Sequence, residues 1–341
     1  MQNFLYTYTR SEIDRLIAHR KGEVKFGQRI RLLNEEQDLE EQFRETKAKY
    51  VLFGVPEDIG VMGNLGRKGT RYAWDAALKQ LLNTQNHKGN KAKRVLLLGY
   101  LDFRKEMEEL GSLDPSKDTF TAKARELTAK IDTEVTDLVR KVVQAGKKPI
   151  VVGGGHNNCY GILKGCALAV GKPLNCINVD AHTDFRNLEG RHSGNGFSYA
   201  FREGFLKRYF IFGLHENYTS KSVFKKMDEL KDQVRYTTFE ELLLPAENGF
   251  DYQTEQAFGF IKQDKYGIEI DCDAIQHVPS SAMSPSGFSA TQVRRLIHHW
   301  KNHKNVQYLH ICEAAPDPEN DSQCRAIGKL ISYFITDFIR K

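Results

Sequence analysis

Leu174-Asn175-Cys176-Ile177-Asn178-Val179-Asp180-Ala181-His182-Thr183-Asp184 is the stretch that decides the fold. Residues 174–179 read as a short buried strand. The residues after them are polar at every second position. In extended backbone alternate side chains point the same way, so Asp180, His182 and Asp184 face one point in space. The pattern recurs downstream, where the apolar run 266–270 leads into Asp271-Cys272-Asp273. Asp271 and Asp273 then face one side and Cys272 the other. A third run, 150–152, leads into Gly153-Gly154-Gly155-His156.

Working outward, the chain holds eight such runs, at 50–55, 95–98, 150–152, 174–179, 209–212, 234–236, 266–270 and 306–311. They are rich in β-branched residues and mostly lack polar alternation, which suits a parallel sheet covered on both faces. Helical patterns lie between them. Leu127, Ile131, Val135, Leu138, Val139 and Val142 form one stripe over 119–144, and Gly146 ends it. A second helix is predicted over 289–300 with Ser289 as its N-cap, and a third over 323–340. Alternating strands and helices imply right-handed βαβ units. The expected fold class is α/β, a three-layer α/β/α sandwich with a mostly parallel eight-stranded sheet. Residues 1–48 read as a partly helical N-terminal extension and 49–341 as a single domain.

Composition excludes several function classes. The 341 residues carry a net charge of +6, with 40% hydrophobic and 28% charged residues, as ordinary globular proteins do. Lysines and arginines are interleaved with acids, which argues against nucleic acid or a membrane surface as partner. No apolar run approaches the roughly 20 residues that span a bilayer. The N-terminus lacks the basic and apolar regions of a signal peptide. Six cysteines form no Cys-x-x-Cys pair, so a cytoplasmic location is expected.

Open α/β sheets bind ligands beyond the C-terminal ends of their strands. His156, Asp180, His182, Asp184, Asp271 and Asp273 all follow or end predicted strands, so three loops deliver four carboxylates and two imidazoles to one place. Two divalent cations about 3.5–4 Å apart need carboxylates that bridge them. Oxygen-rich ligation without thiolates favours Mn2+ over structural Zn2+. Taken singly, each residue has a plainer explanation. A lone histidine after glycines is more often a hydrogen-bonder, and a lone aspartate after a strand is often a helix cap. The joint pattern carries the reading, because carboxylates are rarely left in a crevice unpaired.

At these residues the chain resembles the ureohydrolase family of arginases, agmatinases and formimidoylglutamases. Gly54-Val55-Pro56-Glu57-Asp58-Ile59-Gly60 resembles the family's early glycine-proline motif. Gly153–His156 stands where the family has Gly-Gly-Asp-His, and the DAHxD and DxD motifs are intact at 180–184 and 271–273. Glu313-Ala314-Ala315-Pro316 resembles its late glutamate-proline segment. The resemblance implies an arginase-like fold and two Mn2+ per subunit. One would be held by His156, Asp180, Asp184 and Asp271, the other by Asp180, His182, Asp271 and Asp273. Asp184 would move a proton to the leaving group, and Glu313 would orient a cationic amidinium. A small-molecule amidine is the implied partner, and a homo-oligomer stays open because relatives often form trimers or hexamers.

Departures from the arginase pattern bear on the substrate. Gly155 replaces the aspartate before the ligand histidine, and Arg186 follows the metal motif; both resemble formimidoylglutamases. Arg186 is equally readable as a carboxylate clamp or a solvated surface arginine. No histidine follows Ser193-Gly194-Asn195, where arginases carry a proton shuttle; His192 and His215 are conceivable substitutes. Ser193 and Asn195 are candidate substrate hydrogen-bonders, and Arg67 and Arg71 are candidates either for carboxylates or for helix capping. The expectation is hydrolysis of N-formimidoyl-L-glutamate to L-glutamate and formamide, in histidine degradation. The alternatives are an arginase-like or agmatinase-like, urea-releasing enzyme, and a non-catalytic metal-binding member.

Overall fold

Strands without a polar face must be covered on both sides, and they are. The structure, a computed structural model, describes residues 4–34, 37–243 and 249–341. Its strands are β1 Leu5–Tyr6, β2 Arg31–Leu32, β3 Tyr50–Gly54, β4 Val95–Leu101, β5 Lys148–Val152, β6 Leu174–Val179, β7 Leu206–Leu214, β8 Val234–Thr238, β9 Tyr266–Asp271 and β10 Val306–Cys312. They form one sheet in the order β1-β4-β3-β5-β10-β9-β6-β7-β8, with β2 beside β4. The pairs that join β3 to β10 are all parallel. The eight expected strands are thus present, in a three-layer α/β/α architecture. β1 and β2 add two-residue strands at one edge, β1 antiparallel to β4 and β2 parallel to it. Neither segment carries an apolar run, so only pairing with β4 marks them as strands. Between them lies the helix Arg10–Arg15, and after them the helix Leu39–Glu45. Residues 1–3 and 35–36 of the expected extension lie outside the described residues.

Strand alternation divides the core in two. Leu52, Ile150 and Val152 pack with the helices Ala73–Leu82, Ala290–Trp300 and Asp321–Ile339 on one face. Val51, Phe53 and Val151 pack with Asp118–Gln144 and Asn158–Val170 on the other. Ser289 caps its helix through a reciprocal box with Gln292. Among the described residues no helix is long and apolar enough to cross a membrane.

The strand order places the site. The chain builds β3, β4 and β5 on one half of the sheet and β6, β7 and β8 on the other, then returns to fill the gap with β9 and β10. The crevice of a doubly wound sheet lies at such a change of direction. Its four central strands, β5, β10, β9 and β6, are the ones that end in the polar motifs.

Gly54 at the end of β3 shows how tightly this frame is packed. A Cβ there would lie 2.3 Å from the indole of Trp74, a ring that is 1% exposed. Gly54→Ala is expected to destabilise the protein by about 1–3 kcal/mol through overpacking, read as a fall in the denaturant midpoint at unchanged m-value.

Candidate metal centre and substrate cavity

Each loop beyond the central strands is fixed from behind before it presents a ligand. After β5 the chain turns through Gly153 and Gly154, both with positive φ (89° and 70°), a conformation that glycine adopts without strain. Glu57, fully buried, holds this turn. Its carboxylate accepts from the backbone amides of Gly60 and Gly155 at 3.0 and 3.1 Å, and from the side-chain amides of Asn157 and Asn158 at 3.2 and 2.9 Å. A Cβ on Gly155 would sit 2.6 Å from Asn157 Oδ1 and 3.2 Å from Glu313 Oε1. An aspartate at 155 would therefore bring another carboxylate against Glu313. After β6, Asp180 accepts from the backbone amide of His182 at 2.7 Å; after β9, Asp271 accepts from that of Asp273 at 2.7 Å.

These loops converge. His156 Nδ1 lies 2.8 Å from an Asp184 carboxylate oxygen, 2.9 Å from one of Asp271 and 3.3 Å from one of Asp180. His182 Nδ1 lies 3.7 Å from Asp180 and 3.6 Å from Asp273. The six sequence-predicted ligands are thus brought to one cluster. Three carboxylate oxygens crowd a single imidazole nitrogen, which carries at most one proton or one lone pair. Neither ring nitrogen of His156 is hydrogen-bonded among the described residues. The largely buried, oxygen-rich, thiolate-free donor set fits a pair of hard divalent cations.

The electrostatics point the same way. Burial, and then the charge of Asp180, push the carboxyls of Asp184 and Asp271 above their usual range, and burial raises Asp273. Asp180 is held well below that range: burial opposes this, but the imidazoles of His156 and His182 prevail. His182 is raised to about 10, because Asp180, Asp273 and Asp184 outweigh its burial. The negative charge exceeds what the imidazoles neutralise, and bound cations would relieve the excess.

Above the cluster opens a cavity of about 380 Å³. His182, Asp184, Asp271, Asp273 and Glu313 form its polar floor, while Asn64, Arg186, Ser193 and Tyr218 form its walls. Glu313 follows β10. Its Oε1 accepts from the His156 amide at 2.7 Å and its Oε2 from the Ser281 hydroxyl at 2.8 Å. Burial, and then the charge of Asp273, push Glu313 up to about 8. Asp184 and Glu313 both have left-handed backbones, with φ of 43° and 60°. Such strain costs on the order of 1–3 kcal/mol per residue and collects at functional sites.

The remaining sequence candidates separate. The Arg186 guanidinium donates to Asn64 Oδ1 at 2.8 Å and stays half exposed on the cavity wall. The Ser193 hydroxyl accepts from Asn64 Nδ2 at 3.3 Å on the same wall. Asn195 does not line the cavity. Its Oδ1 accepts from Arg191 and from the His192 amide, and its Nδ2 donates to the carbonyls of Asn187 and Gly190. Arg71 pairs with buried Asp58 at 3.2 Å, and Arg67 donates to the Ser280 carbonyl. His192 accepts from the Gly194 amide, and His215 stacks between Tyr218 and Phe239. Neither histidine lines the cavity. Sequence reasoning assigned no role to Glu57, Asn64 or Ser281, although Glu57 stands in the early glycine-proline motif. Asn64 lies 122 residues from its partner Arg186, and no local pattern links the two.

Known proteins resemble this chain in sequence and in fold. The formimidoylglutamase of Macrococcus caseolyticus is 26% identical over 336 residues, covering 95% of this chain and 96% of that protein. That of Lysinibacillus sphaericus is 28% identical over 209 residues, 59% of this chain and 63% of the relative. The solved structure of Trypanosoma cruzi formiminoglutamase with Mn2+ superposes with a TM-score of 0.69 at 20% identity, covering 94% of this chain and all of that one. The sequence profile of the arginase family matches residues 48–336, which is most of the chain and includes every strand from β3 to β10, and the chain therefore belongs to the arginase family.

Proposed function

We propose that this arginase-family hydrolase uses two Mn2+ ions per subunit to cleave N-formimidoyl-L-glutamate with water, giving L-glutamate and formamide in cytoplasmic histidine degradation. The observation that carries the reading is the convergence of carboxylate oxygens from two other loops within 3.3 Å of His156 Nδ1. His156, Asp180, Asp184 and Asp271 would hold one ion, and Asp180, His182, Asp271 and Asp273 the other. When bound, such a pair supplies Lewis-acid charge and a nucleophilic water near neutral pH.

The chain's own residues would do the rest. Glu313 accepts N–H bonds from the planar amidinium and orients its carbon towards the floor, since a carboxylate matches that donor fork. Asp184, on the floor, takes a proton and passes it to the departing amine of glutamate. Arg186 meets a substrate carboxylate, with its guanidinium held in place by Asn64. The clamp favours an amino-acid amidine over agmatine, which has no carboxylate. The relatives named formimidoylglutamase support the same choice. The six cysteines are free thiols, as a reducing compartment requires.

A substrate panel with Mn2+-loaded protein tests the assignment, scoring formamide against urea. Formamide release from formimidoylglutamate is expected. Urea release from arginine or agmatine alone would overturn the substrate and leave the metal centre standing, whereas an empty, inactive site would favour the non-catalytic reading. Arg186→Ala is expected to lower kcat/KM on formimidoylglutamate by about tenfold, mainly through KM. A charge-assisted hydrogen bond contributes about 1.5–3 kcal/mol, and the exposure of this side chain argues for the lower end. Steady-state kinetics showing no loss would remove the clamp.

A further inference from the structure

Beneath the ligands lies a second polar tier that the proposed reaction does not use. Side chains two residues apart on a strand share a face, so Asn178 lies one pleat below Asp180, and Glu269 one pleat below Asp271. Sheet register sets Asn178 on β6 and His310 on β10 level with Glu269 on β9. All three are completely buried. We propose that this tier is a positioning network for the metal ligands, in which Glu269 fixes the His156 ring so that Nδ1 is presented to the cations.

The contacts of Glu269 carry the argument. Burying a lone carboxylate costs several kcal/mol unless its oxygens are matched. Here Oε1 accepts from the Tyr308 hydroxyl at 2.6 Å, and Oε2 lies 2.5 Å from His310 Nδ1. The same Oε2 lies 3.5 Å from His156 Nε2, the nitrogen that faces away from the aspartates. An imidazole has two nitrogens, and the partner of one decides the state of the other. The negative charge of Glu269 beside Nε2 favours the ring proton on that nitrogen, which leaves the Nδ1 lone pair for a cation. Carboxylates placed behind ligand histidines in this way orient the ring and raise its basicity.

The surroundings are shaped to keep Glu269 in place. Gly267, two residues before it, lets the Tyr308 ring cross β9. A Cβ at 267 would fall 2.0 Å from the ring's Cζ. Asn178 does the matching work for Asp180, donating from Nδ2 to Asp180 Oδ2 at 2.8 Å and to the Tyr209 hydroxyl at 2.9 Å. That hydroxyl in turn donates to the Thr183 carbonyl at 3.0 Å, inside the Asp180–Asp184 loop.

The inference rests on the metal-centre reading, and Mn2+ titration calorimetry on chelator-stripped protein tests the two separately. The parent is expected to bind two Mn2+. Glu269→Gln, which keeps the shape and removes the charge, is expected to bind Mn2+ about 10- to 100-fold more weakly at the His156 site. Its Co2+-loaded form should show a shifted visible absorption band. Tyr308→Phe, which frees Oε1 alone, should weaken binding in the same direction by less. A purely structural role would lower thermal stability and leave Mn2+ affinity unmoved. Affinities within twofold of the parent in Glu269→Gln would overturn the proposal, and should that variant fail to fold, unchanged affinity in Tyr308→Phe would do so. A parent that binds no Mn2+ would overturn both readings together.

Discussion

Asp271→Asn is expected to abolish most turnover while making the metal-free protein more heat-stable. Asp271 belongs to both proposed ligand sets, and its carboxylate stands 2.9 Å from His156 Nδ1. Asparagine keeps the shape, and its Oδ1 can still accept from the Asp273 amide, as Asp271 does at 2.7 Å. It cannot supply the anionic oxygen that a bridging position needs. Changes one layer behind a metal cost roughly 10–100-fold, so a bridging ligand is expected to cost more than about 100-fold in kcat/KM. The gain in stability has a separate cause. Burial, followed by the charges of Asp180 and Asp273, already pushes Asp271 towards its protonated form, so removing its charge relieves the repulsion. Thermal melts in chelator should show a higher Tm for the variant, and melts in Mn2+ should show that it has lost the metal-induced gain. Activity within tenfold of the parent would exclude Asp271 from the centre.

The same charge imbalance fixes a pH dependence. Glu313 is raised to about 8 and His182 to about 10, both above their unfolded values. A group raised in the folded state holds protons that the unfolded chain has released, so its contribution is complete below the unfolded pKa and fades as pH rises through the folded one. From pH 7 to 8 both groups act in this sense, and Tm in chelator is expected to fall over that interval. In Mn2+ the trend should flatten or reverse, because cations replace protons on the same ligands.

Glu313→Gln is expected to produce the other large loss. Glu313 sits on the cavity floor with one oxygen on the His156 amide and the other on the Ser281 hydroxyl. Glutamine keeps one acceptor and turns the other into a donor, which opposes the donor-only amidinium and removes the charge that pairs with it. Truncating one partner of a buried charge pair costs about 2–5 kcal/mol, which corresponds to roughly 30- to several-thousand-fold in kcat/KM. Mn2+ stoichiometry should stay at two per chain, which separates this effect from that of Asp271→Asn. A variant whose kcat/KM drops less than tenfold would show that the amidinium is oriented by something else.

The legible features of this protein share one property: their information is local. β6 and β9 could be read from short, mostly apolar runs interrupted only by Asn175, Asn178 and Glu269, and the facing of Asp180, His182 and Asp184 followed from the two-residue period of extended chain. Ser289 as the N-cap of its helix was visible for the same reason, and the structure adds Gln292 as its partner three residues on. β1 and β2 were not visible, because a two-residue strand has no period to detect and exists only through β4. Arg191, which ties Asn195 to Asp132 on the long helix, shows the same limit. Asn195 read as a candidate substrate hydrogen-bonder, and its amide is in fact occupied within the protein.

The sequence by itself determined the eight strands β3 to β10, the three-layer class and the residue types gathered at the strand ends, because each depends on patterns over a few residues. Only the tertiary structure decided the sheet order that inserts β9 and β10 between β5 and β6, and with it the meeting of His156 with Asp271. The same order decided which arginine reaches the cavity, and it placed Glu269 behind the histidine. These are contacts between segments scores of residues apart, and they are fixed by the packing of layers, which no short stretch of chain encodes.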